Sequence, residues 1–142
     1  MQTGQEAIFP MKTDYQIIKT ATDVRKFQAV SNGLHDGHIT LAAYHNAGIS
    51  FEDHSLSFDY SGKSLTLQVL VTSLAEHPTF EICFHNITEW QLRERYCSEI
   101  TDFSILFLDD GMLLWADDCA GDAAVLKQGS YVIAKTIGYR KL

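Results

Sequence analysis

The sequence predicts a mainly β fold with one early helix. The expected form is an antiparallel β-sandwich or open barrel of about eight strands, with the helix at about residues 22–32. Three observations point there. Apolar residues recur at helical spacing in one stretch only, "TATDVRKFQAVSNG". After Gly33 the apolar period changes to two. The alternating runs are joined by short Gly- and Asp-containing turns, with nothing resembling a helical crossover between strands. A chain of 142 residues with 46% apolar and 20% charged residues has a globular composition, long enough to bury its own core. It reads as one β-rich domain over 14–142 behind a loose leader at 1–13, in which Met11 is an alternative start.

"YQII" at 15–18 is a short strand. In the helix, Val24, Phe27, Val30 and Leu34 form the apolar stripe. Thr20 or Thr22 caps the start, Asp23 suits the positive end of the helix dipole, and Asn32-Gly33 is the stop. Ile39, Leu41 and Ala43 then alternate with polar or small neighbours. "LSFDY" (56–60) places Leu56, Phe58 and Tyr60 on one face. Through a Ser61-Gly62-Lys63 turn it is expected to form a hairpin with "LTLQVLV" (65–71). Beyond Pro78, Phe80, Ile82 and Phe84 alternate with Glu81, Cys83 and His85; residues 88–92 either extend this strand or turn away. "DFSILFL" (102–108) is apolar on both faces, the mark of a central strand. Asp110-Gly111 suits a type I′ turn into "MLLWA" (112–116). A loop with room for one helical turn leads to the final strand, "SYVIAKTIGYRKL".

Charge narrows the function classes. With 11 Lys and Arg against 18 Asp and Glu, the net charge is −7. That disfavours nucleic acid, whose phosphates are bound by Lys and Arg, and suits a basic protein partner. No apolar run approaches the ~20 residues of a membrane span, and the N-terminus lacks a signal-peptide core. The expected location is therefore cytoplasmic, with Cys83, Cys97 and Cys119 as free thiols. On that reading the sequon Asn86-Ile87-Thr88 is a chance match.

"GLHDGHITLAAYHNAG" (33–48) concentrates imidazoles, and any metal would fall to His35, Asp36 and His38. On a regular strand, however, His38 and His45 point to opposite faces about 23 Å apart. The plainer expectation is a polar helix-to-strand junction, with no metal and no cofactor. The His-Asp doublet also occurs in all-helical metal-dependent phosphohydrolases, a context this β-rich chain lacks. "SFDYSGKS" (57–64) imitates a phosphate loop, but Ser57 stands where Gly is needed and a strand follows the lysine. Glu81, Cys83 and His85 share one strand face, but residues two apart are separated by about 7 Å, too far for a ready nucleophile–base pair. Of the aromatic residues, Trp90, Trp115, Tyr44, Tyr60, Tyr96, Tyr131 and Tyr139 read chiefly as core or cross-strand packing. Asp109, Asp110, Asp117, Asp118 and Asp122 are acidic loop residues. "DDCAGD" lacks the alternating oxygen ligands of a calcium loop.

The succession "LHDGHITLAAY", "LTLQVLV", "FEICFHNI", "ITDFSILFLDDGMLLWADD" and "YVIAKTIGYRKL" resembles small, single-domain β-rich bacterial proteins, some of them regarded as immunity proteins of toxin systems. The resemblance spans most of residues 34–142. It implies a bacterial cytosolic domain and no established activity, and it transfers no functional residue. The leading expectation is a non-enzymatic protein-binding domain, such as an immunity- or antitoxin-like inhibitor of a basic protein. Asp109, Asp110, Asp117 and Asp118 would be its contacts and Trp115 an anchor. The alternatives are a metal- or thiol-dependent enzyme using His35, Asp36 and His38 or the Cys83–His85 pair, and a homodimeric subunit pairing an edge strand at 131–139.

Overall fold

The computed structural model describes residues 14–52, 54–58, 62–93 and 99–142; the proposed leader, Tyr60, Ser61, Tyr96 and Cys97 lie outside them. Helix α1 (Ala21–Ser31) is closed by a capping box. The Thr20 hydroxyl accepts the Asp23 amide, and the Asp23 carboxylate accepts the amides of Lys19 and Thr20, satisfying donors that the helix cannot. Val24, Phe27 and Ser31 are its buried residues, and the Ser31 hydroxyl donates to the Phe27 carbonyl. Val30, expected in the apolar stripe, is instead 49% exposed. Ser31 and Leu34 take the inner positions, and Val30 is turned to the rim.

The strands are β1 (Gln16–Ile17), β2 (Gly37–Asn46), β3 (Ile49–Glu52), β4 (Ser55–Phe58), β5 (Lys63–Val71), β6 (Thr79–Gln91), β7 (Glu99–Ile100), β8 (Ser104–Phe107), β9 (Leu113–Ala116) and β10 (Tyr131–Lys141). The main sheet is antiparallel in every pairing, in the order β7-β2-β5-β6-β10-β9-β8, with β1 also on β10.

The connection between β7 and β8 dictates the shape. These strands are opposite edges of the sheet, yet only residues 101–103 separate them. Flat, seven strands at ~4.8 Å spacing would put the edges about 29 Å apart. The link from Ile100 to Ser104 reaches at most about 14 Å. The sheet must therefore curl until its edges approach, which makes it an open barrel rather than a sandwich. Bulges assist the bend: one in β2 between Ile39 and Leu41, and one in β6 opposite Ile133 and Ala134.

The concave side holds the main core. Leu65, Leu67, Val69 and Val71 of β5 meet Phe80, Ile82 and Phe84 of β6. Phe27 of α1 stacks on Tyr139 with ring centroids 3.9 Å apart and lies against Phe103. Short helix α2 (Ala123–Leu126), capped by Asp122, covers a smaller cluster on the other face, formed by Leu114, Ala116, Leu126, Tyr131 and Ile133.

Four sequence expectations change. First, residues 55–58 pair with β3, and the long hairpin partner of β5 is β2, closed by Asn46 opposite Lys63 and by the Ala47 amide on the Gly62 carbonyl. The β3–β4 hairpin is thus an insertion at the tip of a longer hairpin, beyond the reach of a nearest-neighbour turn argument. Second, β8 is an edge strand and not a central one. Its two apolar faces are real, because Ile105 faces the main core while Leu106 packs under the α2 cluster. Third, Asp110-Gly111 does not form a two-residue turn. The Leu108 amide bonds the Met112 carbonyl, the Gly111 amide bonds the Leu108 carbonyl, and Gly111 sits at φ +85°. This is the three-residue loop in which a left-handed residue follows a type I turn. Fourth, residues 131–139 are no free edge: β10 is paired with β6 on one side and with β9 and β1 on the other, so the strand proposed for self-association is already occupied.

Candidate functional site

The His-Asp segment is a joint between three parts of the chain. Asn32, Gly33, Leu34 and Asp36 all have positive φ, a costly run for side-chain-bearing residues, and neighbouring elements hold it in place. The His35 ring nitrogen Nδ1 meets the Thr101 carbonyl, which can only accept, so Nδ1 carries the proton. Ser73 and Thr72 hydroxyls donate to the carbonyls of His35 and Asp36. The Phe103 amide donates to Gly33. At Gly37 a Cβ would lie 2.5 Å from the Leu34 carbonyl oxygen and 2.8 Å from a Val69 methyl, so only glycine fits. His35 and Asp36 approach each other at 3.7 Å, but among the described residues no three His, Cys, Asp or Glu groups gather as a metal site.

His38 and His45, expected on opposite faces, lie on the same one. The β2 bulge absorbs a residue, so that His38 lies opposite Leu70 and His45 opposite Ser64. The two histidines therefore point to the same face. Six positions of β5 still separate them, about 20 Å, and they share no centre.

Glu81, Cys83 and His85 do share the convex face of β6, and register brings other residues to them. Cross-strand rows run Leu41–Gln68–Glu81–Arg140, Ala43–Thr66–Cys83–Gly138 and His45–Ser64–His85–Thr136. Glu81 is buried at 8% exposure and fully engaged. The Tyr15 hydroxyl donates to its Oε1, Gln68 Nε2 donates to its Oε2 at 2.9 Å, and Arg140 donates from Nε at 3.1 Å and from Nη2 at 2.9 Å. Arg140 also pairs with Asp14 at 2.6 Å and lies over the Tyr15 ring, 4.6 Å from its centroid. Burial alone would raise the Glu81 carboxyl; the Tyr15, Gln68 and Arg140 donors outweigh it and hold the group below the usual carboxylate range. Tyr15 is pushed up, first by burial and then by its acidic neighbours.

Cys83 lies beside this network, with Thr66 Oγ1 at 3.7 Å from its sulfur. Burial pushes the thiol up and pushes the His85 imidazole down. A thiolate–imidazolium pair requires the opposite shifts. His85 Nε2 is buried and has no hydrogen-bond partner among the described residues. Cys119 is exposed, and neither it nor Cys83 is in a disulfide.

The aspartates at the β8 edge have local duties. The Asp110 carboxylate accepts the Met112 amide, Asp118 accepts Cys119 and Ala120, Asp117 accepts Ser130, and Asp122 caps α2. Asp109 is exposed at the hairpin tip. Because Ser104 pairs with Ala116, Asp117 and Asp118 fall beside Asp102 at one end of β8, with Asp109 and Asp110 at the other, about 15 Å away. Trp115 is not an anchor for a partner. It is 0% exposed and packs edge-on against Phe84, because its position on β9 faces the concave core. The exposed aromatic residue of this edge is Phe107.

A further feature is legible in the sequence alone. Residues 99–126 hold seven of the 18 acidic residues and none of the 11 basic ones, so this segment carries the whole net charge of −7 and the remainder is neutral. Folding gathers the segment into β7, β8, β9 and α2 with their connections.

No family model matches the chain, no curated protein matches it, and no solved structure matches it. Among the described residues no helix is long and apolar enough to cross a membrane.

Proposed function

We propose that the protein is a binding domain whose β8–β9–α2 edge receives a basic protein, and that it acts as an inhibitor of that partner. The observation that carries this reading is the segregation of charge: an acidic run of 28 residues in an otherwise neutral chain. Clustered carboxylates raise the encounter rate with a cationic surface far more than scattered ones do. Phe107, 47% exposed between the two aspartate groups, supplies apolar contact where Trp115 cannot. An inhibitor of a cationic nuclease, in which carboxylates stand in for phosphates, is the concrete form. The resemblance of the strand succession to small β-rich bacterial proteins, some of them regarded as immunity proteins, suggests that form.

The test is capture from cells of the source organism at about 0.05 M salt, where surface charges act over more than 10 Å. It is repeated with Asp109, Asp110, Asp117 and Asp118 all changed to Asn. Asparagine keeps the side-chain oxygen that accepts the backbone amides, so the loops persist while the charge goes. A basic protein held by the native chain and lost from the variant supports the reading. An unchanged captured set, or none, refutes it.

A further inference from the structure

We propose that the groove between α1 and the C-terminal end of β10 is a binding site for a small organic anion with an apolar body, such as an aryl carboxylate. The groove is open to solvent and has a volume of about 390 Å³, within the range of ligand sites. Lys26 and Val30, one helical turn apart on α1, form one wall. Arg140 and Lys141 of β10 form the other, and Phe80 and Tyr139 make the floor. Register explains the floor: Phe80 lies opposite Lys141 in the β6–β10 pairing, and Tyr139 is held flat by its stack on Phe27.

Two features point to an anion with an apolar body. Val30 is the apolar residue of α1 that the core leaves out, and it opens onto this groove. The lining also runs against the charge of the chain, with three cations and one carboxylate, Asp14, which is engaged by Arg140 at 2.6 Å. Among the described residues Lys26 and Lys141 form no ion pair. Asp23, the other carboxylate near this groove, accepts the amides of Lys19 and Thr20 in the helix cap and acts on Lys26 through space without a direct ion pair. Lys26 and Lys141 are thus the cations that face a ligand carboxylate, while Val30, 49% exposed, offers the apolar contact for its rings above the buried Phe80 and Tyr139. The site uses none of the residues of the acidic edge, so each proposal can fail without the other.

The probe is 2-naphthoate, titrated by calorimetry and followed by amide NMR shifts. Its neutral counterpart is 2-naphthamide. Expected are saturable binding at about 0.1–1 mM, shifts centred on α1 and the end of β10, and about tenfold weaker binding of the amide. Lys26→Gln with Lys141→Gln should weaken naphthoate at least about fivefold and leave naphthamide unchanged. Val30→Asp should weaken both. These side chains are on the surface, and an unchanged melting temperature will show the variants folded. Equal affinity for the two probes, indifference to the lysine changes, shifts mapping elsewhere, or no binding would each overturn the proposal.

Discussion

Replacing Glu81 by Leu should be among the most damaging single changes to this protein. The carboxylate is the shared acceptor for Tyr15, Gln68 and Arg140, and removing it takes that acceptor from all three, leaving Arg140 with Asp14. Breaking a buried charged pair costs about 3–5 kcal/mol. Arg140 is 24% exposed and keeps Asp14, so part of that is recovered, and a loss of about 2–3 kcal/mol is expected. For a chain of this size that corresponds to a melting temperature about 6–12 °C lower. Glu81→Gln keeps the shape and one acceptor and should cost about half as much. Sign follows from the depressed carboxyl. The stabilisation is present above the unfolded-state value near 4.5 and is lost as pH falls through the lower folded value. Both variants should therefore lose the part of the native acid sensitivity that begins below about pH 4.5. Urea unfolding followed by tryptophan fluorescence measures this, with buried Trp115 as reporter. A double-mutant cycle with Tyr15→Phe should give a coupling of about 1 kcal/mol. If Glu81→Leu unfolds within 0.5 kcal/mol of the native chain (about the spread of neutral surface changes), the network contributes nothing and the reasoning fails.

The remaining expectations are simpler to test. His85 is held neutral by burial, with its folded value below 6.5. Stability should therefore fall as pH drops below about 6.5, where the unfolded imidazole gains its proton first; His85→Gln should flatten the urea midpoint between pH 7 and 5 relative to the native chain. Gly37→Ala forces a Cβ into the Leu34 carbonyl oxygen and a Val69 methyl and should cost at least about 2 kcal/mol; a melting temperature unchanged within a degree would contradict that packing. Thr20→Ala removes the capping hydroxyl of α1 and should cost about 1 kcal/mol, read by the same unfolding assay. The quadruple Asp→Asn variant of the β8 edge should melt within about 2 °C of the native chain, because the local amide bonds survive; a larger drop would show that the charges themselves hold the edge together.

Local patterning alone determined a good deal. The period change at Gly33, the Thr20 and Asp23 cap and the alternation of Phe80, Ile82 and Phe84 specify one helix followed by antiparallel strands. Each signal depends on residues within a few positions of each other, where backbone geometry leaves little choice. The segregation of all net charge into 99–126 is equally a property of the sequence. Tertiary structure decided what depends on partners distant along the chain. That β5 pairs with β2 and not with 55–58, that β10 lies inside the sheet, and that a three-residue link curls the sheet into an open barrel all follow from register and topology. So does the candidate chemistry. Tyr15, Gln68, Glu81 and Arg140 meet only because three strand pairings align them, and a single extra residue in β2 turns His38 and His45 to the same side. A side chain's face has a period of two, so a one-residue bulge reverses it, and no local pattern records where such a bulge falls.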